Sequence, residues 1–214
     1  MRKLAYLYVS DTMADWEPGY ITSELHSGRY FKETVVKYEV KTAGLTTDPI
    51  TTMGGVKILP DLTIQELAIH ETGVLILPGG DTWLEPFHAP VFARVQKFLD
   101  NHIPVAAICG ATFGLAANGF LDHRKHTSND LEYVKAICPT YRGEAFYQQQ
   151  PVVVDGDLIT ASGVAALDFA YAVLKKLDVF LPTTLEAWYN LYQTHDAEYF
   201  FALMNSLPRA ETGS

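Results

Sequence analysis

The chain is poor in cysteine: Cys109 and Cys138 are the two it has. Two thiols in 214 residues make no disulfide framework, so a reducing, cytoplasmic setting is the expectation. Positive charge is scarce as well. Lys and Arg number 16 against 25 Asp and Glu, a formal net charge of -9. That balance excludes nucleic acid and anionic membranes as default partners, because both require clustered cations. The segment Met1-Arg2-Lys3-Leu4-Ala5-Tyr6 has neither the long apolar run nor the cleavage site of a secretory leader. Between Asn101 and Asp122 there is no Asp, Glu, Lys or Arg, but Pro104, Gly110, Gly114, Asn118 and Gly119 interrupt the stretch. A buried strand and a buried helix account for it better than a membrane span does. Internal repeats, low-complexity tracts, a P-loop, a zincin motif and a dinucleotide fingerprint are all lacking. No metal and no cofactor is expected. His123 and His126 form a His-x-x-His near Asp122 and Asp130, but with no second ligand cluster to complete a site.

What is present is an alternation of strands and helices. Leu4 to Val9, Val74 to Leu77 and Val105 to Ile108 read as buried strands, and Val36 to Val40 as a strand with one wetter face. Thr51 to Leu59 reads as irregular strand and Thr63 to Leu67 as a short helix. Helical spacing runs from Asp15 toward His26, through Val91, Val95, Phe98 and Leu99, over Gly110 to Asn118, and from Val164 to Leu177. Asp130 is placed to cap a helix carrying Leu131, Val134, Ile137 and Cys138. Val152 to Val154 and Leu158 to Thr160 flank Asp155-Gly156-Asp157 as a hairpin. Residues 183–205, rich in aromatics, read as one added C-terminal helix. The pattern predicts a single α/β domain over 1–214, with a mostly parallel sheet covered on both faces.

The segment from Pro104 to Gly114 carries the chemistry. An apolar strand runs into Cys109, then into small residues and a helix. A residue at such a turn is held in a strained backbone region, and Ala107, Gly110 and Ala111 relieve the crowding. Its side chain then projects above the carboxyl edge of the sheet, with helix N–H groups aimed at the sulfur. Pro78-Gly79-Gly80 ends a second central strand, and the N–H groups of Gly80 and Gly110 are candidates for an oxyanion hole. Cys138, on the apolar stripe of its helix, reads as core.

Leu77-Pro78-Gly79-Gly80, Ala107-Ile108-Cys109-Gly110, Lys125-His126-Thr127-Ser128-Asn129 and Ile159-Thr160-Ala161-Ser162-Gly163 together resemble the ThiJ/PfpI family, within the class I glutamine amidotransferase-like superfamily. The resemblance covers residues 3 to 178. It implies a flavodoxin-like three-layer sandwich, a homodimer, and an acidic residue beside the thiol, a position matched by Glu17. In that role Glu17 is protonated, donates a hydrogen bond to the Cys109 sulfur and lowers its pKa. The departures concern histidine. The protease branch places one directly after the cysteine, where this chain has Gly110. The branch of the parkinsonism-associated protein places it after a Thr-Thr or Thr-Ser pair, where Asn129 stands. Amidotransferases carry a His-x-Glu near the end of the domain, and Ala161 to Asp168 holds no histidine. His126 is the nearest alternative partner. Three expectations follow: a cysteine-dependent hydrolase or amidase of small carbonyl or amide substrates, a thiol-based oxidative-stress sensor or protective protein reacting with an oxidant, or a non-catalytic binding scaffold.

Overall fold

The computed structural model describes residues 2–207. Seven strands form one sheet in the order β5-β2-β1-β6-β7-β9-β8. They are β1 (Lys3–Tyr8), β2 (Tyr38–Gly44), β5 (Leu62–Thr63), β6 (Thr72–Leu77), β7 (Val105–Ile108), β8 (Val152–Asp155) and β9 (Leu158–Ala161). Every neighbouring pair is parallel except β8 and β9, which form the antiparallel hairpin expected around Asp155-Gly156. β3 (Ile50–Thr51) and β4 (Lys57–Ile58) make a small separate hairpin within the stretch read as irregular strand.

Strand alternation sorts the core into two layers. Tyr6, Tyr8, Leu75, Leu77, Val105 and Ala107 face α2 (Ala89–Asp100) and α3 (Gly110–Ala117), with Val134 of α4 (Leu131–Ile137) packed in the same layer. Ala5, Leu7, Val74, Ile76, Ala106 and Ile108 face α1 (Gly19–Ser27), α5 (Ala166–Leu177), α6 (Pro182–Thr194) and α7 (Ala197–Ser206). The result is the mostly parallel three-layer α/β sandwich expected, of flavodoxin-like form. Asp130 caps α4 by accepting the Tyr133 N–H.

One reading is corrected and one refined. The segment 183–205 is not one helix. His195 takes a left-handed φ of 62° and ends α6, and the Asp196 side chain starts α7 by accepting the Glu198 N–H. Residues 64–66 form a single 3₁₀ turn, closed by reciprocal bonds between Thr63 and Glu66. Among the described residues no helix is long and apolar enough to cross a membrane.

α6 is built into the core. Trp188 is fully buried in the α1/α5 layer, and its indole N–H donates to Glu24 Oε1 at 3.0 Å. Glu24, itself buried, is clasped by the Arg29 guanidinium through Nε and Nη2. A buried carboxylate is tolerable only with such partners.

Candidate active site at Cys109

β7 delivers Cys109 to the carboxyl edge of the sheet, and α3 begins at the next residue. Cys109 has φ 56° and ψ −125°, a conformation L-residues rarely adopt. Its N–H donates to the Ala161 carbonyl at 3.0 Å, and its own carbonyl accepts from Thr112 N at 3.0 Å and Thr112 Oγ at 2.6 Å. The strained residue is thus held at both ends, and its thiol is half-buried.

Three groups reach the sulfur. Asn129 Nδ2 donates to Sγ at 3.3 Å, while Asn129 Oδ1 accepts the Gly163 N–H at 2.7 Å. The second bond fixes which end of the amide faces the thiol. The Gly110 N–H, first of its helix, is the second donor. Glu17 is the third neighbour. It is fully buried, Oε2 accepts the Gly79 N–H, and Oε1 has no classical hydrogen-bond partner. Glycines make room for this cluster. A β-carbon on Gly79 would lie 2.7 Å from Cys109 Cβ and 2.8 Å from Glu17 Oε2, and one on Gly163 would lie 2.7 Å from Sγ. Gly110 packs against Gly80 in the same way, a β-carbon there falling 2.5 Å from the Gly80 carbonyl oxygen. Among the described residues the N–H groups of Gly80 and Gly110 have no backbone partner.

The electrostatics of the pair turn on whether Glu17 carries its charge. Burial pushes the Cys109 thiol up, and the charge of Glu17 pushes it further, while the Asn129 amide and the Gly110 N–H pull it down. Burial likewise raises the Glu17 carboxyl, opposed by the Gly79 N–H and the thiol. The two groups compete for one negative charge, so a charged Glu17 holds the proton on sulfur instead of releasing it.

His126 lies apart from this cluster in its hydrogen bonding. Its ring nitrogens pair with the Arg124 carbonyl and the Tyr141 hydroxyl, both at 2.7 Å, and the residue is buried. It braces the loop that presents Asn129, where the Thr127 hydroxyl donates to Gln150 O at 2.7 Å and the Thr127 N–H donates to Thr160 Oγ1 at 2.9 Å. Cys138 is buried and donates to Phe113 O at 3.4 Å. Among the described residues no three His, Cys, Asp or Glu side chains gather as a metal-binding group.

Two residues of the site were not singled out from sequence. Gly163 was visible only as the end of a motif, and its role depends on a contact with Asn129, 34 positions away. Trp16, 55% exposed, leans its indole N–H toward the Gly163 carbonyl at 3.4 Å.

The family model described as DJ-1/PfpI matches residues 3–176. A Bacillus subtilis (strain 168) protein named "uncharacterized protease YoaZ" is 52% identical over 204 residues, 95% of this chain and 97% of the relative. The crystal structure of a thiJ/pfpI family protein from Bacillus anthracis superposes with a TM-score of 0.93 at 53% identity, covering 97% of this chain and 98% of that one. A DJ-1 superfamily protein from Agrobacterium tumefaciens superposes with a TM-score of 0.78 at 33% identity, covering 90% of this chain and 98% of that one.

Proposed function

This chain belongs to the DJ-1/PfpI family, and on that premise we propose that it is a cysteine-dependent hydrolase or amidase of small carbonyl or amide substrates, with Cys109 as nucleophile and Glu17 as its proton carrier. The observation that carries the reading is the buried Glu17 carboxyl set against a thiol in a strained strand-to-helix turn. The protease name of the Bacillus subtilis relative agrees with hydrolysis as the reaction class.

In this reading the sulfur attacks the carbonyl carbon as its proton passes to the Glu17 carboxylate. The carbonyl electron pair moves onto oxygen, which meets the N–H groups of Gly80 and Gly110. Collapse breaks the carbon–nitrogen bond, and Glu17 returns the proton to the departing amine. Water then attacks the thioester, its proton passing through Glu17 to the sulfur as the acid leaves. A raised carboxyl pKa suits this shuttle, since a general acid–base works best near the operating pH. Asn129 orients the sulfur but transfers no proton, so the proton transfers of the cycle fall to Glu17.

A second reading rests on a separate observation: no histidine ring is hydrogen-bonded to the thiol among the described residues. Reversible oxidation needs none, because sulfur attack on a peroxide breaks the O–O bond and leaves a sulfenic acid. Two free thiols fit a reducing cytoplasmic location. Self-association into a homodimer remains part of the proposal.

Incubation with an activated ester, read by intact mass, tests both readings. An acyl adduct on Cys109 with continuing turnover, absent in Cys109→Ser, supports the hydrolase. Turnover that persists in Cys109→Ser refutes it. Addition of one oxygen by peroxide, with no ester turnover, favours the second reading.

A further inference from the structure

A cleft of about 610 Å³ opens between α1 and α6, a size that suits a small ligand group. Trp16, Tyr20 and Tyr192 wall it, and Ser23, Ser27 and Arg29 supply its polar edges. The family match ends at residue 176, so the Tyr192 wall comes from helix outside the shared domain.

Trp16 links the cleft to the surroundings of the thiol. Trp16 lines it and also reaches the Gly163 carbonyl, and a β-carbon on Gly163 would fall 2.7 Å from Cys109 Sγ. The indole thus lies between the residue beside the sulfur and the cleft. The indole is more than half exposed, so stacking a flat group on it removes apolar surface from water. Tyr20 stands edge-on to Tyr192, with ring centres 5.0 Å apart at 70°, a geometry that receives another ring. Charge selects further. Arg29 is the cation on the lining, and Glu24 already binds it through two nitrogens. A substrate carboxylate gains little there, while the serine hydroxyls serve neutral polar substituents.

We infer that this cleft is the subsite for the group attached to the reacting carbonyl, and that it selects a neutral aromatic group. The inference rests on Cys109 being the reactive thiol. The test compares alkylation of Cys109 by chloroacetamide, N-benzylchloroacetamide and N-(4-carboxybenzyl)chloroacetamide, each rate divided by that for glutathione. The benzyl reagent should be favoured over chloroacetamide by about tenfold, equivalent to about 1.4 kcal/mol, and the carboxybenzyl reagent by less. Tyr192→Ala, which opens the cleft, and Ser23→Trp, which fills it from the exposed side of α1, should each bring the benzyl ratio down to about one. A benzyl ratio near one in the unmodified protein, a ratio untouched by both variants, or a preference for the carboxybenzyl reagent overturns the subsite while leaving the reading of the thiol intact. Failure of chloroacetamide to modify Cys109 ahead of Cys138 overturns both.

Discussion

Replacing Glu17 by Gln separates the chemical role of this side chain from its bulk. The amide keeps an oxygen for the Gly79 N–H, and its NH₂ occupies the place of Oε1, which has no classical partner. Gln therefore imitates the protonated acid without being able to transfer the proton. Three observables should move, and not together. The charge of Glu17 is among the causes that raise the Cys109 pKa, so its removal moves the thiol titration to lower pH and speeds alkylation at neutral pH. Ester or amide turnover should fall by about 10²–10⁴, the usual contribution of a positioned acid–base, or about 2.7–5.5 kcal/mol of barrier. Stability at neutral pH should rise. A carboxyl whose folded pKa is raised costs stability once pH exceeds its unfolded value, and the neutral amide removes that cost. The midpoint of a thermal melt at neutral pH should therefore move up. Stopped-flow alkylation against pH, steady-state hydrolysis and a thermal melt read the three. If turnover stays within threefold, Glu17 is not the proton carrier. If alkylation slows at neutral pH, a protonated Glu17 supports the thiolate and the electrostatic argument is reversed.

The remaining expectations are simpler. Limited alkylation near neutral pH, mapped by mass spectrometry, should modify half-buried Cys109 at least ~10-fold faster than buried Cys138, and equal rates would contradict the turn geometry. Trp188→Phe removes the donor to Glu24 Oε1 and should cost about 1.5–3 kcal/mol in urea unfolding, the usual worth of a bond to a charged group; a loss under about 0.5 kcal/mol would mean that Arg29 alone suffices. His88 is buried between Tyr8 and Thr82, and burial lowers its pKa to about 4. It is neutral in the fold, so the stability it contributes is complete above its unfolded value of about 6.5 and is lost as pH falls toward 4, by an amount on the order of 3 kcal/mol. His88→Gln should flatten that part of the urea-stability profile, and an unchanged slope would refute the assignment. Light scattering should return twice the 23.8 kDa chain mass if the chain pairs with itself, and the monomer mass at micromolar concentration would exclude the dimer.

How well each part could be read from sequence follows from how far apart its determinants lie. The runs Val74 to Leu77 and Val105 to Ile108 are apolar because both faces of a parallel strand are covered, and that signal is local. The turn at Cys109 and the hairpin at Asp155-Gly156 announce themselves through neighbouring small residues. The break at His195 did not, because no glycine or proline marks it and the aromatic spacing runs straight through. β3 and β4 are two residues each, too short for a period. At the site, motif order brought out Cys109, Glu17 and Asn129, but the sign of the Glu17 effect depends on which atoms a buried carboxyl faces. His126 shows the same limit: its spacing suggests a partner for the thiol, and only the Tyr141 hydroxyl, 15 positions on, reveals a brace.

The bond from Trp188 to Glu24 joins residues 164 positions apart. A ribosome delivers α1 early and α6 very late, so during most of synthesis the Glu24 carboxylate has Arg29 but not the indole that finally closes over it. Until then the face of α1 destined for that layer stays open to water and to other chains. Long-range closure of this kind slows folding and lengthens exposure of apolar surface. A nascent chain stalled before residue 188 should therefore be a good client for chaperones that recognise exposed aromatic and aliphatic patches, whereas the released chain should not.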